Sequence, residues 1–466
     1  MKRRMAAAAM GVMLAGCTLG PNYKRPAVAT PDQFRGAPPQ AAGGPSLAET
    51  KWFDLFQDDT LKQLVTTALE QNFDLRMAAE RIEQARAQFG ITRANQFPFL
   101  IGQASFTTQR QSSVGGFRFI PSGTDLSASY TQAGAALSWD LDLFGKLRRQ
   151  TEAARALYLA TEEARRGLAV ALTGDVMDAY FLLRERDLEL QIARQNRDTA
   201  QDGVRLVTLR HDRGAATGLD VHQSEQLLYT ATAQIASAQR DIEQTENTLR
   251  LLLGQVPGGV PRGKSLEEFS TPPEPPPGLP SSLLERRPDI RAAEQNLIAA
   301  NAQIGAAKAL YFPDISLTGF LGGQSRQLMG LFTGPARFWT ISPAATLPIF
   351  TAGQVRTAVR LTEAQKRELL LNYQKTIYTA FKEVSDALAG YQRTREQAAE
   401  QEKLVQALSE STRLSRLRYR GGLDSYLQVL DSQRNLFQGQ LQLAQLRLQV
   451  LTSFVQVYRA LGGGWQ

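Results

Sequence analysis

Two stretches of this 466-residue chain repeat one another at fixed spacing, and no other feature limits its fold as strongly. Asp74, Leu75 and Arg76 followed by Phe97-Pro98 recur as Asp289, Ile290 and Arg291 followed by Phe312-Pro313, at an offset of 215. Further on the offset becomes 208: Asp178-Ala179 matches Asp386-Ala387, Arg210 and Gly214 match Arg418 and Gly422, and Leu253-Gly254 matches Leu461-Gly462. A chain repeating at such a distance is built from two similar halves, each a supersecondary unit of its own.

Proline marks where the halves are interrupted. Of the 21 prolines, six fall between Pro21 and Pro45 and eight between Pro257 and Pro280, whereas 122–256 and 349–466 have none. Proline inside a helix costs about 3 kcal/mol, so those two long gaps predict uninterrupted helix. Each half reads as a helix, two strand-like segments, a very long helix, a break, and a second helix. The long helices run from about 146 to 210 and from about 354 to 418, roughly 100 Å at helical rise. The second helices run from 217 to 253 and from 425 to 461. Val221, Leu228, Ile235, Ile242 and Leu249 recur every seven residues, as do Val429, Leu436, Leu443, Val450 and Val457. That period produces a left-handed supercoil against neighbouring helices. Thr217 with Asp220, and Ser425 with Gln428, read as capping boxes after the breaks. Gly214 and Gly421-Gly422 mark the hairpin tips.

The strand segments alternate with period two. Leu137, Trp139, Leu141 and Leu143 face one side, and Ser138, Asp140 and Asp142 the other. Ile315, Leu317 and Leu321 alternate less cleanly. Four strands cannot close a membrane barrel, because open edges leave backbone groups unpaired in lipid. The strands alone leave open whether they form a small soluble sheet or are pooled by several chains.

The N-terminus reads as an export signal. Lys2, Arg3 and Arg4 precede an apolar run, Met5 to Leu14, too short to cross a bilayer, and then small residues. Leu14-Ala15-Gly16-Cys17 resembles the bacterial lipobox, which implies cleavage before Cys17 and acylation there with diacylglyceryl and palmitate-type chains. Each buried CH₂ contributes about 0.8 kcal/mol to such an anchor. Thr18 after the cysteine implies, by the same resemblance, sorting to the outer membrane.

Composition removes other classes. No stretch of about 18 apolar residues exists to make a transmembrane helix. One cysteine excludes a disulfide framework and any cysteine metal cluster. With 53 basic and 45 acidic residues, removal of the three N-terminal cations leaves 50 − 45 = +5, and no basic block with interleaved aromatics speaks for nucleic acid. No phosphate-binding glycine loop and no Cys or His nucleophile system is present. His222 reads as a surface or interface residue rather than a ligand, and Asp140 with Asp142 as residues lining water rather than a catalytic pair. We expect no enzyme, cofactor or metal site.

The lipobox with Gly20 to Tyr23, the Phe-Pro before each strand pair, Trp139 to Gly145, Arg418 to Leu427 and Leu430 to Arg434 together resemble the TolC-type outer-membrane efflux factors. The chain is most similar to their NodT-like lipoprotein branch, the outer-membrane subunit of tripartite RND efflux systems. The resemblance covers essentially the whole mature chain. It implies a mainly α fold with β: a homotrimeric twelve-stranded outer-membrane β-barrel continuous with a twelve-helix periplasmic α-barrel, each chain two β-β-α-α repeats with an added helix. It implies domains at 1–16 (signal peptide), 17–50 (lipid-anchored tether), 51–254 (first repeat, strands 98–142, hairpin 146–254), 255–280 (linker) and 281–466 (second repeat, strands 313–350, hairpin 354–462). The implied function is passive export of drugs, toxic compounds or metal ions, in partnership with a periplasmic adaptor (membrane fusion protein) and an inner-membrane RND-type pump. The chain would be lipid-anchored in the outer membrane and extend into the periplasm. The competing reading is a lipid-anchored coiled-coil spacer or adaptor without a pore, which has no need of two strand pairs. For a gate at the helix tips the candidates are Asp424, Asp431, Arg418 and Tyr419. Ala216 stands where the second half has Asp424, so the two hairpins are not expected to move alike.

Replacing Cys17 with Ser should abolish acylation and the lipoprotein-type cut. Mass spectrometry of the mature N-terminus checks this; an unmodified Cys17 in the unaltered protein would count against the lipobox.

Overall fold

The computed structural model describes residues 18–35, 56–110, 112, 126–269 and 280–463. The signal segment, Cys17, the turn glycines Gly115, Gly116 and Gly123, and the proline run from 272 to 277 lie outside the described residues. The elements in order are α1 (Asp59–Gln71), α2 (Phe73–Ala94), β1 (Phe99–Arg110), β2 (Ser127–Leu141), α3 (Lys146–Asp212), α4 (Gly218–Leu252), a single helical turn at Leu283–Arg286, α5 (Pro288–Ala309), β3 (Asp314–Ser325), β4 (Arg337–Thr346), α6 (Gln354–Arg420) and α7 (Tyr426–Ala460). The duplication is reproduced in the lengths of the long helices. α2 and α5 both have 22 residues, α3 and α6 both 67, and α4 and α7 both 35.

The hairpin ends explain that regularity. Left-handed glycines occur in three pairs at offset 208: Gly145 and Gly353, Gly214 and Gly422, Gly254 and Gly462. At each tip the glycine N–H bonds back three residues and the next N–H bonds back five, Ala215 to Arg210 and Leu423 to Arg418. This is the Schellman closure, which needs positive φ at the glycine and satisfies the last helical carbonyls.

The chain divides into two units. The first comprises Met1–Pro26, Ile82–Thr161 and Ala293–Tyr373. It contains an antiparallel sheet in the order β1-β2-β3-β4. Phe99 pairs with Ser138 and Arg110 with Ser127; Leu141 pairs with Ile315, and Asp314 with Thr346. Gly134 and Gly322 face each other across β2 and β3, where a Cβ on Gly134 would lie 2.3 Å from the Leu321 carbonyl oxygen. Phe99, Leu100, Phe106, Leu321, Trp339 and Ile341 are all well exposed on this sheet.

One expectation is corrected here. Asp142 does not line water: β2 ends at Leu141, and the Asp142 carboxylate accepts from the Leu147 and Arg148 amides at 3.1 and 2.8 Å, capping α3. Residues 18–25, the start of the expected 17–50 tether, follow a path held by side chains from elsewhere in the sequence. Leu19 donates to the Phe144 carbonyl, buried Arg149 donates to the carbonyls of Leu19 and Gly20 and to Asn22, and Asn301 donates to the Pro21 carbonyl. Tyr23 and Arg25 both donate to Glu294. Proline and glycine forbid helix here, so side chains of α3 and α5 satisfy the extended backbone instead.

The second unit comprises Ala27–Arg81, Glu162–Ala292 and Gln374–Gln466. In α4 the heptad column read from the sequence is only partly buried at Val221, Leu228 and Ile235. The fully buried column lies three residues on: Ser224, Ala231, Ala238 and Thr245. Small residues at heptad spacing let a neighbouring backbone come close, which is where the tightest packing must be. The repeats close alike, since Asn72 donates to the Leu252 carbonyl at 2.9 Å and Arg287 to the equivalent Ala460 carbonyl at 3.0 Å.

Asp58 joins three segments. It caps α1 through the amides of Thr60 and Leu61, accepts from the Tyr180 hydroxyl of α3 at 2.9 Å, and accepts from the Lys264 amide at 3.1 Å. Burial, with the Asp58 hydrogen bond second, keeps the Tyr180 phenol protonated well above its ordinary range. Phe56, Phe181, Phe269, Phe454 and Tyr391 pack edge-on or tilted beside it, at centroid separations of 5.0 to 5.9 Å. Tyr180→Phe leaves a buried carboxylate oxygen short of a donor. It should destabilise the fold by about 1–3 kcal/mol in urea titrations, with little change in helix content.

Candidate functional site

The two helical hairpins of the second unit meet at their tips. Val207 of α3, Tyr419 of α6, and Tyr426 and Val429 of α7 form one buried cluster, flanked by Leu206, Ala216, Val221 and Leu430. The Tyr419 and Tyr426 rings lie 5.1 Å apart, and the Tyr426 hydroxyl meets the Ser224 hydroxyl at 3.0 Å. Burial raises the Tyr426 phenol above its ordinary value, so it stays protonated in water near neutrality. Gly203 makes room for that hydroxyl, because a Cβ there would sit 2.8 Å from it.

The caps differ from expectation in one hairpin. Thr217 and Asp220 form the full capping box. Ser425 stands at the N-cap of α7 but its side chain makes no cap bond; its carbonyl accepts from the Gln428 amide instead. Glutamine at that position brings no charge to the positive helix end, so less is gained by closing the box.

The sequence candidates fall into two places. Arg418 donates through Nε to Asp424 Oδ2 at 2.6 Å, a bond made within one tip, with 58% of the arginine side chain and 28% of the aspartate exposed. Tyr419 is buried, with its ring turned into the cluster. Asp431 lies on α7, bonded to Arg434 at 2.7 Å and to the Asn435 amide at 3.2 Å. Asp431 is therefore not brought into the Arg418–Asp424 pair. His222 is exposed and bonds to Glu225 on its own helix. Among the described residues no group of three or more His, Cys, Asp or Glu is placed to hold a metal ion.

Arg210 is the tip residue that sequence reading missed. Its guanidinium lies 4.4 Å from the Tyr419 ring centre and donates to the carbonyls of Tyr419 and Arg420 at 3.4 and 3.3 Å. It is the repeat mate of Arg418, at offset 208. Arg418 has Asp424 as a local partner, whereas Ala216 occupies the matching place beside Arg210. With alanine at the position that matches Asp424, and Asp212 of the same tip beside His211, Arg210 reaches across to the C-terminal carbonyls of α6, where a cation is favoured. The signal was present in the repeat alignment: a retained arginine whose acidic partner is gone must find another acceptor.

The tips thus combine a buried latch between hairpins with an exposed ion pair on one of them. Arg210→Ala should loosen the α6 end, raising amide hydrogen exchange at 417–426 and lowering stability by roughly 1–2 kcal/mol. Lysine should restore little of this, since it cannot fork to two carbonyls.

The family model described as "Outer membrane efflux protein" matches residues 64–255 and again 279–463. The solvent efflux pump outer membrane protein SrpC of Pseudomonas putida is 40% identical over 461 residues, 97% of each chain. The outer membrane protein OprJ of Pseudomonas aeruginosa is 38% identical over 471 residues, 99% of this chain and 96% of OprJ. Among solved structures, the open state of the Neisseria gonorrhoeae MtrE outer membrane channel superposes with a TM-score of 0.85 at 32% identity, covering 97% of this chain and 99% of that one.

Proposed function

The chain belongs to the outer membrane efflux protein family, and from that membership we propose how its own residues anchor, couple and gate the duct. It is a transport component: the outer-membrane channel through which an efflux pump discharges. Three copies close a twelve-stranded barrel in the outer membrane, and their helices form a twelve-helix α-barrel.

The anchor is an acyl group on Cys17, supported by the lipobox and by the fixed path of the residues that follow it. The partners are a periplasmic adaptor and an inner-membrane RND-type pump. Leu219, Leu423 and Leu427 leave large apolar surfaces exposed around the tips, as a docking end requires. Relatives are named for solvent, toluene and antibiotic efflux, so we propose small organic molecules as the cargo. A spacer without a pore has no use for a sheet with exposed apolar side chains, so that reading is set aside.

The observation that carries the gate is the Arg418–Asp424 pair beside the buried Tyr419. In a trimer three such pairs surround one axis. The hypothesis is that Arg418 holds Asp424 in a closed ring, that Tyr419 fixes the helix end behind it, and that Asp431 adds negative charge farther along α7. Three carboxylates at a constriction attract cations and repel anions.

Asp424→Ala should weaken cation selectivity and divalent block in planar bilayers. Arg418→Ala should raise resting conductance and sensitise cells to large antibiotics such as vancomycin. If both variants conduct, select and protect like the unaltered protein, the closure lies elsewhere.

A further inference from the structure

Midway along α3 a carboxyl group is buried without a hydrogen bond. Glu185 is 1% exposed, and neither of its oxygens has a hydrogen-bond partner. One turn on, Glu189 is also buried, at 6% exposure. Between them Arg186 bonds to Glu189 and stands 3.6 Å from Glu185. Asp241 on α4 acts on Arg186, and Arg240 pairs with Asp241. The α7 residues packed on the next turns of α3 are apolar: Phe437 and Ala444 against Ile192, with Leu188 and Leu441 beside them.

The charges do not balance if both glutamates are ionised. One guanidinium would face two buried carboxylates, and Glu189 already takes its hydrogen bond. A buried carboxylate without a hydrogen bond is relieved most readily by protonation.

We propose that Glu185 holds its proton at neutral pH, and that this buried acid makes the helical wall of the duct pH-sensitive, firm in acid and looser in alkali. Burial first and then the Glu189 charge push Glu185 up to about 8. An acid whose folded value is raised contributes stability that is complete below its ordinary value of 4.5 and is lost as pH rises toward about 8. Above that range the ionised carboxylate persists beside Glu189, and α3 must admit water or shift against α4 and α7. α3 also carries Arg210 at its far end, so loosening its middle bears on the latch between the tips. The proton affinity of Glu185 does not depend on the identity of the cargo.

The test uses the purified, full-length trimer. Melting temperature is measured from about pH 5 to about pH 9 for the unaltered protein and for Glu185→Gln, which keeps the shape and can donate to Glu189 but cannot ionise. The unaltered trimer should lose melting temperature as pH rises through this range, while Glu185→Gln should show a flatter profile and melt higher on the alkaline side. Infrared titration of the unaltered trimer should show a protonated carboxyl band at neutral pH that disappears near pH 8 and is missing from the variant. The infrared titration stands by itself if the variant does not assemble. Parallel melting profiles, a uniform shift at every pH, or no carboxyl band titrating near neutrality would each overturn the proposal.

Discussion

The outer edges of β1 and β4 carry backbone N–H and C=O groups that have no strand partner among the described residues, and hydrocarbon supplies none. Everything else in the design answers to that deficit. A single chain with this sheet cannot enter a membrane; three can, because edge meets edge around a closed ring. Once closure is threefold, the helices too meet neighbours on both sides around the ring. The same symmetry places three copies of every tip residue around one axis, so a modest ion pair acts in triplicate.

Duplication supplies the elements, and divergence between the copies supplies the function. The two halves keep equal helix lengths and left-handed glycines at the same offset, since changing either would break the closures at both ends of a hairpin. They part company where the backbone does not constrain the side chain. Asn72 and Arg287 do the same work with different groups. Arg210 and Arg418 begin as mates and end with different partners, because one tip retains an aspartate and the other has alanine. The first tip thereby becomes a clasp on the second, and the second keeps a carboxylate exposed to solvent.

Long helices, breaks, hairpin tips and strand pairs were all legible in the sequence, because proline, glycine and hydrophobic period act locally. The closeness of Arg418 and Asp424 was legible too, since they lie six residues apart in one hairpin tip. What escaped was set by packing. Nothing local distinguishes Ser224, Ala231, Ala238 and Thr245 as the most buried column; small residues look neutral until a neighbouring backbone lies against them. Asp142 read as a strand residue because the alternation continues past Leu141, and only the end of the ladder turns it into a cap. Glu185 stood among charged residues on a helix, where a glutamate ordinarily faces water.

The residues that follow Cys17 are held by groups far away in the sequence. Tyr23 is bonded to Glu294 across 271 positions, and Pro21 to Asn301 across 280. A chain delivered N-terminus first therefore presents its first segment long before the surface that receives it exists. Closing a loop of that length is slow, and the search is paid in chain entropy. The first residues to arrive are among the last to find their place, and docking them signals that α5 has formed on α3. The segment from Leu19 to Arg25 can therefore take its path only once α5, which carries Glu294 and Asn301, has been made.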